Sequence, residues 1–214
     1  MKGSAIVESL GWIDVEAAGR EPLTVIGTLG PPGTSSEQAA GLWWRHLAGS
    51  SGSPPRVRLY DTYEAGGVAL RAGEVSHVVV ANAYKAINEF YMDTVLAVSG
   101  VFVMDTPLYG LARRRGMAAV VKEPTIATHP SPVPLIRQLL PEGYAARAVT
   151  TVNSTSAAAM AVRDGAFDLA LTTQNAAESC ELEFISRTRP IRMVWSVFVA
   201  DPEERLLRSV PTSP

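Results

Sequence analysis

The chain has little of what metal and disulfide chemistry require. Its 214 residues include one cysteine and three histidines. A single cysteine, Cys180, excludes an internal disulfide, and no surrounding motif marks it as a nucleophile. His46, His77 and His129 are far apart and show no metal-ligand spacing, so no metal is expected. An excess of charge is also missing. Nineteen Lys and Arg face 21 Asp and Glu, a net charge of −2, which gives no footing for nucleic acid or an anionic membrane. No apolar run is long enough to span a bilayer. The start, Met1 to Glu8, lacks the apolar core of a secretion signal. There is no internal repeat. These absences predict a soluble, cytoplasmic protein. The length and the 47% hydrophobic content suffice for a core in one large domain or two lobes.

What is present is a set of small polar residues at recurring places. Thr28-Leu-Gly-Pro-Pro-Gly-Thr-Ser-Ser-Glu37 follows the β-prone Leu23-Thr24-Val25-Ile26 and precedes Ala39, Ala40, Leu42, Trp43 and Leu47 at helical spacing. The ten residues therefore read as a strand-to-helix turn. Gly30 and Gly33 free its backbone, and Thr34 with Glu37 fits a capping box. A helix start offers free N–H groups and partial positive charge, a place for a carboxylate. The plainer alternative is a well-capped helix that binds nothing. The same device recurs twice. Strand-like Ala148 to Val152 runs into Asn153-Ser154-Thr155-Ser156 and a helix-forming Ala157 to Val162, ending near Asp164-Gly165. Phe167 to Leu171 runs into Thr172-Thr173-Gln174-Asn175 and Ala176-Ala177-Glu178. One hydroxyl cluster is usually a cap, but three at strand ends suggest a small anionic ligand, since open α/β sheets bind ligands there.

Elsewhere the chain predicts strands at Val57 to Tyr60, His77 to Ala81, Val95 to Met104, Tyr109 to Ala112 and Met193 to Val199. A helix should open at Asp61 to Glu64 and run through Leu70. Leu135, Ile136, Leu139 and Leu140 predict an amphipathic helix, and Arg113 to Arg115 a solvated turn. The alternation of strands and helices predicts an α/β fold with parallel sheet.

These motifs resemble a known family. Gly30-Pro31-Pro32-Gly33-Thr34-Ser35-Ser36, His129-Pro130, Ser154-Thr155-Ser156-Ala157-Ala158 and Ala170 to Glu178 resemble, in the same order, signature segments of the prephenate dehydratases. The similarity spans roughly residues 23 to 199. It implies two Rossmann-like lobes around a cleft, similar to type II periplasmic binding proteins. The expected division is an N-terminal arm or short packing helix at 1–21, lobe one at 22–104 plus 186–200, lobe two at 105–185, and a disordered tail at 201–214. The regulatory ACT domain that many dehydratases carry is not expected within these 214 residues.

The departures point to a branch of that family. Dehydratases carry Thr-Arg-Phe on the last strand, its threonine catalytic, where this chain has Val194-Trp195-Ser196. Their Val-Pro-Ile-Glu-Asn-Ser is replaced by Val80-Ala81-Asn82-Ala83-Tyr84-Lys85. These changes, together with Asp105 to Ala112, His129-Pro-Ser-Pro132, and Phe90-Tyr91-Met92, resemble the prephenate decarboxylases of the bacilysin type. The resemblance implies decarboxylation of prephenate with the ring hydroxyl retained, giving a dihydro-4-hydroxyphenylpyruvate for antibiotic or other natural-product synthesis, in a homodimer. Neither redox change nor electron sink is needed, so no cofactor is expected. A true dehydratase with a displaced catalytic residue, and a non-catalytic anion-binding protein, are the alternatives. Carboxylates are expected at Thr34, Ser35, Ser154, Thr155, Ser156, Thr172 and Thr173, a further substrate contact at Asn82, and an apolar wall at Trp195 and Met193. His129, Lys85, Tyr84 and Tyr109 are the candidate general acids for ring protonation.

Overall fold

The computed structural model describes residues 9–15, 25–49, 54–117 and 121–201. In chain order the elements are β1 (Ser9–Asp14), β2 (Ile26–Leu29), α1 (Ser35–Ala48), β3 (Val57–Tyr60), α2 (Tyr63–Ala72), β4 (His77–Ala81), α3 (Asn88–Tyr91) and β5 (Leu96–Asp105). They continue with β6 (Tyr109–Arg114), β7 (Thr125–Thr128), α4 (Ile136–Leu139), β8 (Ala148–Thr151), α5 (Thr155–Arg163), β9 (Leu169–Thr173), α6 (Gln174–Ser179), β10 (Leu182–Phe184) and β11 (Arg192–Ala200). The chain divides into two compact units. Described residues up to 30, then 36–105, and 192 onward form the first; 31–35 and 106–191 form the second.

The first unit is built on a six-stranded sheet in the order β1-β5-β11-β4-β2-β3. Val78, Val79 and Val80 are fully buried at its centre, as expected of an uninterrupted apolar strand covered on both faces. Strands β3, β2 and β4, each linked by a helix, run parallel, whereas β11 lies antiparallel to both β4 and β5. The sheet is therefore mixed rather than parallel. The parallel strands are those joined in sequence by single helical crossovers, α1 between β2 and β3 and α2 between β3 and β4, whereas β11 returns after residues 106–191 and enters antiparallel between β5 and β4. On one face Trp43 of α1 packs against Phe102 and Trp12 at ring separations of 5.7 and 5.6 Å. Gly100 makes room for this packing, since a Cβ there would enter the Trp43 ring. Trp12 belongs to the segment expected to be an arm or short helix. Residues 9–14 instead form an edge strand on β5, and the Trp12 ring, stacked 4.0 Å from His46, fixes it to α1. Residues 1–8 and 16–21 of that segment, and the tail from 202, lie outside the described residues.

The second unit carries a five-stranded mixed sheet, β10-β6-β9-β7-β8. Its period-two pattern is clear in the packing. Ala112, Ala127 and Ala170 lie in one cluster with Ala158, Ala159 and Val162 of α5; Leu111, Ile126, Leu169 and Leu171 lie in another with Ile136 and Leu139 of α4. The small residues let α5 come close to the sheet. The helix predicted around Leu135 to Leu140 shrinks to a 3-10 turn at Val133–Leu135 followed by the single turn of α4. Pro132, Pro134 and Pro141 bracket it, and proline inside a helix removes a donor and clashes with the preceding turn. The basic run also differs from a simple turn. Arg113 and Arg114 end β6, with Arg113 paired to Glu183 of β10 at 2.8 Å.

Candidate functional site

In the second unit the predicted hydroxyl turns form a cluster whose members differ in what they have left to give. Gly33 adopts φ 85°, the left-handed bend that carries the chain into the start of α1. Thr34 precedes that start and is 5% exposed. Ser154 caps α5, its Oγ accepting from the Ala157 N–H at 2.9 Å, and Thr173 caps α6, its Oγ1 accepting from the Ala176 N–H at 3.4 Å. Both keep their own hydroxyl hydrogen. Thr172 has already used its own, donating to the Thr155 carbonyl at 2.8 Å. Ser35 and Ser156 differ from these. Each is more than nine-tenths buried, and neither Oγ has a partner of hydrogen-bonding geometry. A buried hydroxyl without a partner costs about 1–3 kcal/mol, so such a pair at helix starts is what a carboxylate acceptor would relieve.

Tyr109 stands beside this cluster. Burial pushes its phenol up from the ordinary tyrosine range, and the Ser35 and Thr155 hydroxyls pull against that effect. His129 follows β7, half-buried, and burial pushes its imidazole down. The Ser131 N–H donates to its Nδ1 at 3.3 Å, which leaves the ring proton of the neutral form on Nε2.

The first unit holds the remaining predicted residues. Asn82 follows β4, and its N–H donates to the Val194 carbonyl at 3.0 Å. Tyr84 donates its phenol proton to the Glu64 carboxylate. Burial and that carboxylate both push the Tyr84 phenol upward, while Tyr84, as donor, holds Glu64 below the usual carboxylate range. Lys85 is exposed, and its charge also favours ionised Glu64. Trp195 lies elsewhere than its sequence context suggests. It was expected to form an apolar wall for a ligand, but it is 1% exposed, sits in the core and pairs across the sheet with Ala81 and Phe102. The alternation of strand side chains explains this. Trp195 and Met193 take the face packed with core residues, and Val194 and Ser196 take the other. Val194 is 40% exposed, whereas Ser196 is fully buried.

Ser196 also reveals a group that the sequence did not single out. Its hydroxyl donates to Asn82 Oδ1 at 2.8 Å and contacts the Tyr91 hydroxyl at 2.6 Å. Asn82 Nδ2 donates to the same Tyr91 oxygen at 3.3 Å. The Tyr91 ring is held edge-on against Phe198, with centroids 5.1 Å apart. Phe90-Tyr91-Met92 carried part of the family resemblance, but 105 residues separate Tyr91 from Ser196, and nothing local signals their contact.

No family model matches the chain. It is 41% identical over 177 residues to a prephenate decarboxylase of Planktothrix agardhii, a match covering 81% of this chain and 87% of that protein. It is 38% identical over 182 residues to a prephenate decarboxylase of Bacillus subtilis, covering 82% and 86%. Among solved structures, the prephenate dehydratase of Arthrobacter aurescens in complex with L-Phe gives a TM-score of 0.63 at 17% identity. That match covers 83% of this chain, which spans 60% of the dehydratase's length. A periplasmic substrate-binding protein of an ABC transporter from Coxiella burnetii gives 0.52 at 15% identity, covering 87% and 89%. These two likenesses concern the fold, which is mixed α/β with two sheets as expected. The sequence matches to the decarboxylases go further, and on them the chain belongs to the prephenate decarboxylase family.

Proposed function

We propose that the chain removes the ring carboxylate of prephenate as carbon dioxide and keeps the ring hydroxyl, yielding a dihydro-4-hydroxyphenylpyruvate. Family membership supports prephenate decarboxylation, which is a carbon–carbon lyase reaction. The observation that carries the finer claim is Val194, a half-exposed methyl-bearing side chain at the position matched to the dehydratase threonine. Loss of either carbon dioxide or hydroxide from prephenate leads downhill, because loss of both gives an aromatic ring. The enzyme's task is therefore to withhold help from one departure. Deleting a single placed donor costs about 3–4 kcal/mol of transition-state stabilisation, roughly 10²–10³ in rate. Ser196, the nearest hydroxyl along the same strand face, is buried and already bonded to Asn82 and Tyr91, so it does not replace the missing donor.

A prephenate carboxylate is assigned to the second unit's hydroxyl cluster. Ser35 and Ser156 bring unused donors, Ser154 and Thr173 bring their remaining hydrogens, and Thr34 and Thr155 flank the two helix starts. Thr172 supports the cluster through the Thr155 carbonyl. No step requires a redox change or an electron sink, so no cofactor is invoked. The resemblance to bacilysin-type members supports a homodimer serving natural-product biosynthesis, and the composition supports a cytoplasmic location. Among the described residues, no helix is long and apolar enough to cross a membrane. Incubation with prephenate, trapping carbon dioxide and following the ring protons by NMR, tests the assignment. One carbon dioxide per non-aromatic product supports it, and phenylpyruvate as the main product refutes it.

A further inference from the structure

Decarboxylation without loss of the hydroxyl leaves a proton to be found. The bond from the ring to its carboxylate breaks, the carboxylate departs as carbon dioxide, and the electron pair moves through the ring diene to an alkene carbon. That carbon must take up one proton. Each of the four acids expected from sequence has something that holds it back from giving it. The Tyr84 phenol is committed to Glu64, and the Tyr109 phenol is pushed up by burial. The His129 imidazole is pushed toward its neutral form, and Lys85 points to no partner beyond the attraction it exerts on Glu64.

The group of Tyr91, Ser196 and Asn82 has a direction built into it. Asn82 Oδ1 can only accept, so the Ser196 hydrogen is spent on it; Asn82 Nδ2 can only donate, so Tyr91 accepts there. In the 2.6 Å contact between the two hydroxyls Tyr91 is therefore the donor. Each member gives one hydrogen and takes one. Ser196 is fully buried, Tyr91 is 39% exposed, and the Asn82 N–H holds the Val194 carbonyl, so the ring of bonds adjoins Val194 on the same strand face.

The geometry points to Tyr91 as the donor of the ring proton, with Ser196 and Asn82 as its positioning residues. This assignment rests on the proposed decarboxylation. The Tyr91 hydroxyl turns from Ser196 to the ring carbon and gives up its hydrogen there; the phenolate left behind accepts from Asn82 Nδ2, and Ser196 turns its hydroxyl from Asn82 to the same oxygen. Charge-assisted bonds of this kind are about twice as strong as neutral ones. Water then restores the proton at the exposed edge of the ring. A phenol is a weak acid toward an alcohol, but the carbon carrying the electron pair of the broken bond is a far stronger base. The same group can therefore serve the ring and spare the hydroxyl.

The test compares the unaltered enzyme, Y91F and S196A with prephenate in heavy water. Loss of a general acid lowers kcat roughly 10²–10⁴-fold. Y91F should show that fall with KM within about threefold of the unaltered value, since the lost interaction belongs to the transition state. The unaltered enzyme should place deuterium at the new ring C–H in one configuration. Y91F, protonated by solvent, should give both configurations, a readout that a merely structural role would not move. S196A should lose part of kcat and keep the single configuration. Circular dichroism and melting of Y91F establish that it folds. Unchanged kcat and configuration in Y91F would overturn the assignment, and so would phenylpyruvate from Y91F, which would make the network a guard of the alcohol. If the unaltered enzyme released no carbon dioxide from prephenate, the function itself would fall, and this assignment with it.

Discussion

Two groups of hydroxyls, one in each unit, are satisfied in opposite ways. In the first, Asn82, Tyr91 and Ser196 satisfy one another in a closed ring, and Val194 beside them offers only methyl groups. In the second, Ser35 and Ser156 are buried, and neither Oγ has a partner of full hydrogen-bonding geometry, though Ser35 lies beside the Tyr109 phenol. A satisfied network contributes to folding and holds its hydroxyls in fixed directions, whereas an unsatisfied pair costs folding free energy and waits for an acceptor. The Asn82–Tyr91–Ser196 group is thus complete without substrate, and the Ser35 and Ser156 hydroxyls are those we propose a substrate carboxylate completes. This is the difference expected of an enzyme that must hold an anion tightly and leave its alcohol alone.

The largest effect should come from breaking the restraint in the first unit. Val194→Thr keeps the β-branched shape and adds one donor. It should raise phenylpyruvate formation by roughly 10²–10³, the reverse of losing a placed donor, read as enolic absorbance against carbon dioxide release. Unchanged product would remove Val194 from the account. Next in size is acid sensitivity. Burial pushes His77, 4% exposed on β4, down from the usual 6.5 to about 4. Between those values the unfolded chain binds more protons, so stability is complete above pH 6.5 and falls as pH drops toward 4. The total is about 3 kcal/mol. Half-buried His129, lowered by burial too, acts with the same sign. Denaturant titrations at stepped pH should show this slope, and His77→Gln should flatten most of it.

The comparison between units is sharpened by matched serine deletions. Ser35→Ala and Ser156→Ala should each raise KM about tenfold to a hundredfold, the worth of a hydrogen bond to a charged group at about 1.5–3 kcal/mol. Neither should lower the melting temperature, because the hydroxyl removed was unsatisfied. Ser196→Ala should do the reverse in stability, costing about 1 kcal/mol by chemical denaturation, since it opens a complete network. Equal stability losses in all three would erase the distinction.

Much of this was legible in the sequence because the signals were local. A glycine-turned helix start and Ser154 three residues before the N–H it caps are each written within a few residues. What was not legible depends on partners distant in the chain. Thr172 looked as available as Ser156 until its hydrogen was found on the Thr155 carbonyl, and Trp195 could take either sheet face until β4 and β5 closed around it. The mixed sheets arise likewise. Strand β11 follows the whole second unit yet inserts between β4 and β5, and no local pattern states where a returning strand will pair. The Tyr91 network escaped for the same reason.

The central claim is that the substrate's alcohol keeps its oxygen while its carboxylate leaves. Prephenate carrying a heavy-oxygen label in the ring hydroxyl tests it in one mass spectrum. The account predicts that every product molecule retains the label, one for each carbon dioxide released. Label appearing in water, alongside an aromatic product, would contradict it.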